Sequence, residues 1–347
     1  MQKNNFDLLR LLAAFQVLFS HTSAHLFSEH GYVFSNTVLL FQKIIHYFPG
    51  VPVFFLISGF LIAMSYQNNS DLKEYIKNRI LRIYPALYIN IFLGVLILYL
   101  FGYVTFNREF FLWLIAQMSI IQFYNTEMFR GFGVGVINGS LWTISVELCF
   151  YIALPILFLI YKKSKLLIGF IFIISFSLWV YDLTSTKEIF YNKLLHSTIF
   201  PYFFLFFFGM GFYKFYDHLV RYLENKFLWW LLIYPSFILI AEFFNITTNP
   251  LIQLFQWIIF SFFIFSFAYS FKKLSNRLLR GNDYTYGVYI YHMLIINIFV
   301  HLNLTAKIEY FWFVVLLSLL SGMLSWHFIE RPFLKLKKHS LFHSMHR

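Results

Sequence analysis

In the stretch Asn5-Phe6-Asp7-Leu8-Leu9-Arg10 to Phe19-Ser20-His21, an arginine and a histidine stand eleven positions apart in largely apolar sequence. An α-helix turns ~100° and rises ~1.5 Å per residue, so the two side chains fall ~20° apart around such a helix and ~16 Å apart along it. They share one face. A guanidinium presents a planar fork of donors that fits phosphate, and an imidazole exchanges protons near neutral pH. The pair therefore suits a substrate whose reacting end lies some distance from a phosphate. Each residue also has a structural reading: Arg10 as an anchor whose charge snorkels to a membrane surface, His21 as one half of an interhelical hydrogen bond. His25, one turn further on, reads as structural.

Three other groups invite the same question. Arg79-Ile80-Leu81-Arg82 follows Lys73 and Lys77; arginines at i and i+3 share a helical face and can grip a multiply charged phosphate, or simply flank a membrane span. Gly139-Ser140-Leu141-Trp142-Thr143-Ile144-Ser145-Val146-Glu147 puts a carboxylate about two turns into an apolar segment, where it needs a partner. A histidine or arginine of another span would serve. With His21, it would make a base and its orienting acid; a structural ion pair is the other reading. Ser58-Gly59 suits close helix approach, and His292 reads as a helix contact or a cavity-lining residue. No nucleophile elbow, phosphate-cradling glycine loop or metal-ligand cluster is apparent.

The elements that must hold these residues are membrane helices. Hydrophobic residues make up 60% of the 347 and charged ones 12%, with 49 phenylalanines, whereas soluble domains are about 25% charged. The first apolar run is followed by many more, so it reads as a span and not as a removable signal. The lone Cys149 excludes an intrachain disulfide and any multi-cysteine metal site. A span takes about 20 apolar residues. Ten segments qualify, at 8–26, 46–66, 84–104, 140–161, 166–181, 198–216, 227–244, 251–271, 284–302 and 310–330.

With ten spans and a cytoplasmic N-terminus, Lys and Arg divide 21 inside to 6 outside. Counting 110–124 as an eleventh span gives 10 inside to 17 outside. The positive-inside rule selects ten, with both termini cytoplasmic. The segment 110–124 is then interfacial or re-entrant within an external loop, 105–139. The expected organisation is an all-α polytopic domain over 1–333 and a basic cytoplasmic tail over 334–347, with Lys335, Lys337 and Lys338. The net charge of +12 then reflects contact with anionic lipid headgroups, and not nucleic acid.

Taken in order, these fragments resemble acyltransferase family 3, the integral-membrane acyltransferases. Asp7-Leu8-Leu9-Arg10 with ten residues before His21 is similar to the family's Arg-x10-His signature. Phe54-Phe55-Leu56-Ile57-Ser58-Gly59-Phe60-Leu61-Ile62 resembles its second-span motif, and Arg79-Ile80-Leu81-Arg82 its Arg-x-x-Arg. Ser140-Leu141-Trp142 through Glu147, then Phe150-Tyr151 and Pro155, resembles the stretch around its glutamate. Tyr289-Ile290-Tyr291-His292 and Glu330-Arg331-Pro332-Phe333 look like its closing motifs, although Tyr291 stands where the family often has Trp.

The resemblance implies acyl-CoA, frequently acetyl-CoA, as donor, a carbohydrate acceptor at the cell surface, ten spans in the inner cell membrane, and no metal. It implies His21 as the catalytic residue with Glu147 as its acidic partner, and Arg10, Arg79 and Arg82 on the donor side. The expected reaction has the CoA nucleotide at the cytoplasmic face and His21, oriented by Glu147, as general base on an acceptor hydroxyl. Some relatives carry an external esterase-like domain that this sequence lacks, which leaves a partner protein or homo-oligomer open. A transporter or flippase using the same buried charges is the alternative reading. The sequence does not name the acceptor, the acyl group, or whether the acyl group rests on the histidine.

Overall fold

A computed structural model describes residues 4–31, 34–68, 71–185, 190–271 and 273–344. Lys3, Lys187 and Lys272 of the charge tally and residues 345–347 of the expected tail lie outside these, as do the side chains from Lys338 onward. Sixteen α-helices and no strand occur among the described residues. In chain order they are α1 (Phe6–Leu26), α2 (Asn36–His46), α3 (Gly50–Asn68), α4 (Leu72–Leu100), α5 (Arg108–Met118), α6 (Trp142–Lys163), α7 (Lys165–Thr184) and α8 (Phe190–His196). Then follow α9 (Phe203–Lys214), α10 (Tyr216–Leu223), α11 (Phe227–Phe243), α12 (Pro250–Tyr269), α13 (Leu274–Leu279), α14 (Thr285–His301), α15 (Ile308–Ser325) and α16 (Arg331–Ser344).

Their starts follow local chemistry. Asp71, Asn107, Ser164 and Asn249 each accept a backbone N–H of the first turn, satisfying donors that have no intrahelical partner. Pro250 sits at the first turn of α12, where its missing N–H costs nothing.

Six helical runs are long and apolar enough to cross a membrane: Asn36–Asn68, Leu72–Leu100, Gly139–Lys163, Lys165–Thr184, Pro250–Tyr269 and Ile308–Lys337. A seventh arises if α10 and α11, bent by 85° at their junction, are one span. The chain is thus a multi-pass, all-helical membrane protein. Each of the ten expected segments coincides with a helix. Several of these are too short to qualify alone, α9 with 12 residues and α14 with 17 among them. Of the 110–124 stretch only 110–118 is helical, within α5, whose 11 residues extend ~16 Å, half of a ~30 Å hydrocarbon core. Polar groups hold the loop that follows: the Gln117 side chain donates to the Tyr124 carbonyl at 2.7 Å, and the backbone N–H of Gln122 donates to the Ser145 hydroxyl of α6 at 3.0 Å.

The chain divides into two compact units. The first comprises Met1–Leu12, Val51–Ser70 and Phe150–Asn282. In it the start of α1 is tied to the end of α12: Asn5 is fully buried, its backbone N–H donates to Ala268 at 2.8 Å, and its side chain accepts from Ser275 N at 2.9 Å. Phe6 packs on Phe60 with ring centres 5.2 Å apart, within a cluster that includes Phe265 and Tyr269. α3 and α9 cross at Gly59 and Gly209, where a Cβ on Gly209 would lie 2.1 Å from the Leu56 carbonyl oxygen. Ser58-Gly59 therefore serves close helix approach.

The second unit comprises Ala13–Gly50, Asp71–Cys149 and Asp283–Arg347. Its centre is α14, buried on nearly every face. A Cβ on Gly287 would stand 2.8 Å from the Gly322 Cα, so α15 lies directly against it. On another side, Asn90 of α4 and Asn138 both donate to the Ile290 carbonyl at 2.7 Å. The Tyr286 and Tyr291 hydroxyls reach the Ile83 and Ala86 carbonyls of α4, on either side of Pro85, where the helical ladder is interrupted. Buried amides and hydroxyls thus lock α4 and α14 in register, because no water is available to satisfy them otherwise.

Candidate active site

α1 is continuous from Phe6 to Leu26, so Arg10 and His21 have the helical relation that their spacing requires. Arg10 belongs to the first unit, while His21, Arg79, Arg82, Glu147 and His292 belong to the second.

His21 meets His292 of α14. The His21 Nδ1 lies 2.9 Å from the His292 Nε2, and the ring centres are 5.1 Å apart in a stacked arrangement. His292 is fully buried, and its Nδ1 lies 2.6 Å from the Tyr289 carbonyl oxygen. A carbonyl only accepts, so that nitrogen carries the proton. With His292 neutral, its Nε2 is then a bare acceptor, and His21 must donate to it through Nδ1–H. The remaining nitrogen of His21, Nε2, is left with its lone pair. One backbone carbonyl thereby fixes both tautomers, the device by which an outer partner commonly orients a working imidazole. His25, 6.0 Å away ring to ring, is occupied with Glu29 at 2.9 Å, in keeping with a structural role.

Glu147 is half-buried on α6 and within electrostatic reach of the Tyr286 and Tyr289 hydroxyls. The Tyr289 hydroxyl also shares a 2.8 Å hydrogen bond with Thr143 of the same helix. The structure therefore differs from the expected His21–Glu147 pairing: the hydrogen-bond partner of His21 is an imidazole, and Glu147 faces the tyrosines of α14. The reason is geometric. Thr143 and Glu147 lie one turn apart on α6 and share a face, and Thr143 is bound to Tyr289.

Arg79 and Arg82 project from α4, both half-buried. Arg82 forms an ion pair with Asp283 at the entry to α14. The Arg79 guanidinium stands 5.6 Å from the centre of the Tyr75 ring. α16 packs along α4 and brings Lys337 within electrostatic reach of both arginines. Among the described residues no group of three or more His, Cys, Asp or Glu side chains is placed to hold a metal.

Sequence reasoning missed His292 as the partner of His21, as well as Asp283 and Lys337. The available signal for His292 was a histidine three residues after Tyr289, a spacing from which a side chain can reach back to a helical carbonyl.

A model of acyltransferase family 3, described as an acyltransferase domain, matches residues 3–329. The chain belongs to that family. Nodulation protein 10 of Rhizobium leguminosarum bv. viciae is 31% identical over 96% of this chain and 94% of its own length. A protein named O-acetyl transferase, from Shigella phage Sf6, is 32% identical over 44% of this chain and 45% of its own length. No solved structure matches. The family model spans both units, so the histidine pair and the arginines of α4 all lie within the acyltransferase domain.

Proposed function

We propose that this acyltransferase moves an acyl group, acetyl in the first instance, from acyl-CoA to a hydroxyl of a cell-surface or lipid-linked carbohydrate, with His21 as general base. The observation that carries this reading is the 2.9 Å contact from His21 Nδ1 to His292, which leaves His21 Nε2 as the basic atom. The acceptor O–H gives its proton to that nitrogen as its oxygen bonds to the thioester carbonyl carbon. The C–S bond then breaks, and the CoA sulfur takes the proton from the His21 imidazolium and leaves as the thiol. General-base assistance of this kind is worth ~10²–10⁴-fold in rate.

On the donor side we assign Arg79 and Arg82, whose half-buried guanidiniums suit phosphate, and Arg10 by its place in the Arg-x10-His signature. Glu147 acts through the hydroxyls of Tyr286 and Tyr289 on α14, the helix that carries His292. The catalytic domain extends over 1–333 as ten spans of the inner cell membrane, both termini cytoplasmic, with a basic tail over 334–347. The name of the phage relative supports acetyl as the group transferred.

The deciding experiment is thiol release from acetyl-CoA by the detergent-purified protein, with surface polysaccharide as acceptor, for wild type and His21→Ala. Loss of acceptor-dependent release in a variant with the wild-type melting midpoint is expected. Wild-type turnover by that variant would overturn the assignment.

A further inference from the structure

The first unit contains a groove that the acyl-transfer reading does not use. It lies where the ends of α3, α6 and α9 meet the start of α7, and it encloses about 460 Å³, within the ~300–1,000 Å³ usual for small-ligand sites. Its wall is apolar, built from Ala63, Phe158, Ile168, Phe172, Phe207 and Met210.

Two glycines make room for it. Gly169 in α7 and Gly211 in α9 both line the groove, and a Cβ built on either meets nothing within 4 Å. Glycine is a poor helix former, and Gly209, two residues earlier in α9, shows what usually justifies one: a Cβ there would strike the Leu56 backbone at 2.1 Å. Gly169 and Gly211 have no such packing reason. Their missing side chains leave the cavity open.

The rim is basic. Lys162 and Lys214 both line the opening, and each lies in the last turn of its helix. The Lys214 ammonium rests 3.8 Å from the centre of the Tyr161 ring, which is also part of the rim. This contact steadies the charge while leaving its donors available. Among the described residues neither lysine is in an ion pair with an acidic side chain. An apolar slot of this volume with two ammonium groups at its mouth is complementary to an alkyl chain that ends in an anionic headgroup.

We infer that this groove is a binding site for one anionic phospholipid of the surrounding bilayer, an acyl chain lying between Gly169 and Gly211 and the headgroup phosphate between Lys162 and Lys214. Selection is electrostatic. A basic residue at an anionic membrane surface contributes about five-fold in affinity, so two give roughly 25-fold preference for phosphatidylglycerol over zwitterionic phosphatidylcholine of the same chains.

The test is native mass spectrometry of the full-length detergent-purified protein titrated with each lipid separately. Wild type is expected to retain one phosphatidylglycerol at concentrations where phosphatidylcholine is stripped. The Lys162→Ala/Lys214→Ala variant is expected to lose that preference while keeping some binding of both. Gly211→Trp and Gly169→Trp, which fill the slot, are expected to lose phosphatidylglycerol itself. Equal retention of the two lipids by wild type would overturn the inference. So would wild-type retention by a slot-filled variant with an unchanged melting midpoint. Tighter retention of a long-chain alkyl monophosphate would overturn the assignment to a bilayer phospholipid. Should both tryptophan variants fail to fold, the surface lysine variant still decides.

Discussion

The bond between His21 and His292 gives the sharpest test of the mechanism, through His292→Ala. In the resting state the contact is a neutral hydrogen bond, 2.9 Å long. In the proposed reaction His21 becomes an imidazolium as it takes the acceptor proton, and the same Nδ1–H bond becomes charge-assisted. Hydrogen bonds to charged groups are worth ~1.5–3 kcal/mol, and each ~1.4 kcal/mol is tenfold in rate. The neutral bond is itself worth ~0.5–1.5 kcal/mol, so only the difference of ~1–1.5 kcal/mol acts on the transition state. Losing the acceptor should therefore lower kcat by ~5–15-fold, short of the whole general-base contribution, with KM for acetyl-CoA little changed.

The decisive readout is the double variant. If His292 acts only through His21, adding His292→Ala to His21→Ala costs nothing further, because groups that work as a unit are not additive. His292→Gln is expected to recover much of the rate, since its amide can donate toward the Tyr289 carbonyl and accept from His21. Full additivity in the double variant, or a wild-type kcat for His292→Ala, would refute the relay.

Arg79→Ala and Arg82→Ala are each expected to raise KM for acetyl-CoA about tenfold, as loss of one charge-assisted phosphate contact requires, with kcat within about twofold in steady-state assays. Gly209→Ala forces its new methyl into the Leu56 carbonyl, so thermal unfolding in detergent should show a loss of about 1–3 kcal/mol. Gly211→Ala meets nothing and should be neutral or slightly stabilising. In a Cys149→Ala background, ten spans put Lys163→Cys beyond reach of an impermeant thiol reagent on intact cells and leave Lys307→Cys open to it; the opposite labelling would restore the eleventh span.

Hydropathy and charge made the helical membrane architecture legible because lipid imposes them along the chain, independently of how the helices pack. The shorter segments show where that reading stops. α9 is flanked by a 3₁₀ turn at Phe200–Tyr202, and α10 meets α11 at 85°. An apolar stretch says how much chain avoids water, not where its helix breaks. The charge split marked 110–124 as something other than a span, and in the structure Gln117 holds the loop that follows it. At the site, helical periodicity placed Arg10 and His21 on one face of α1. It had no means of choosing between Glu147 and His292 as neighbour, because 271 residues separate His21 from His292, and only the packing of α14 brings them together.

That the orienting group is a second imidazole bears on how the site tolerates its surroundings. A carboxylate in that position would be a permanent ion in a low-dielectric interior, at a penalty of several kcal/mol before any reaction began. Two neutral rings anchored to a peptide oxygen demand no such outlay. In the proposed reaction the pair acquires charge only while a proton is in transit between acceptor and sulfur, so the electrostatic cost of membrane residence would fall on a passing species and not on the resting enzyme.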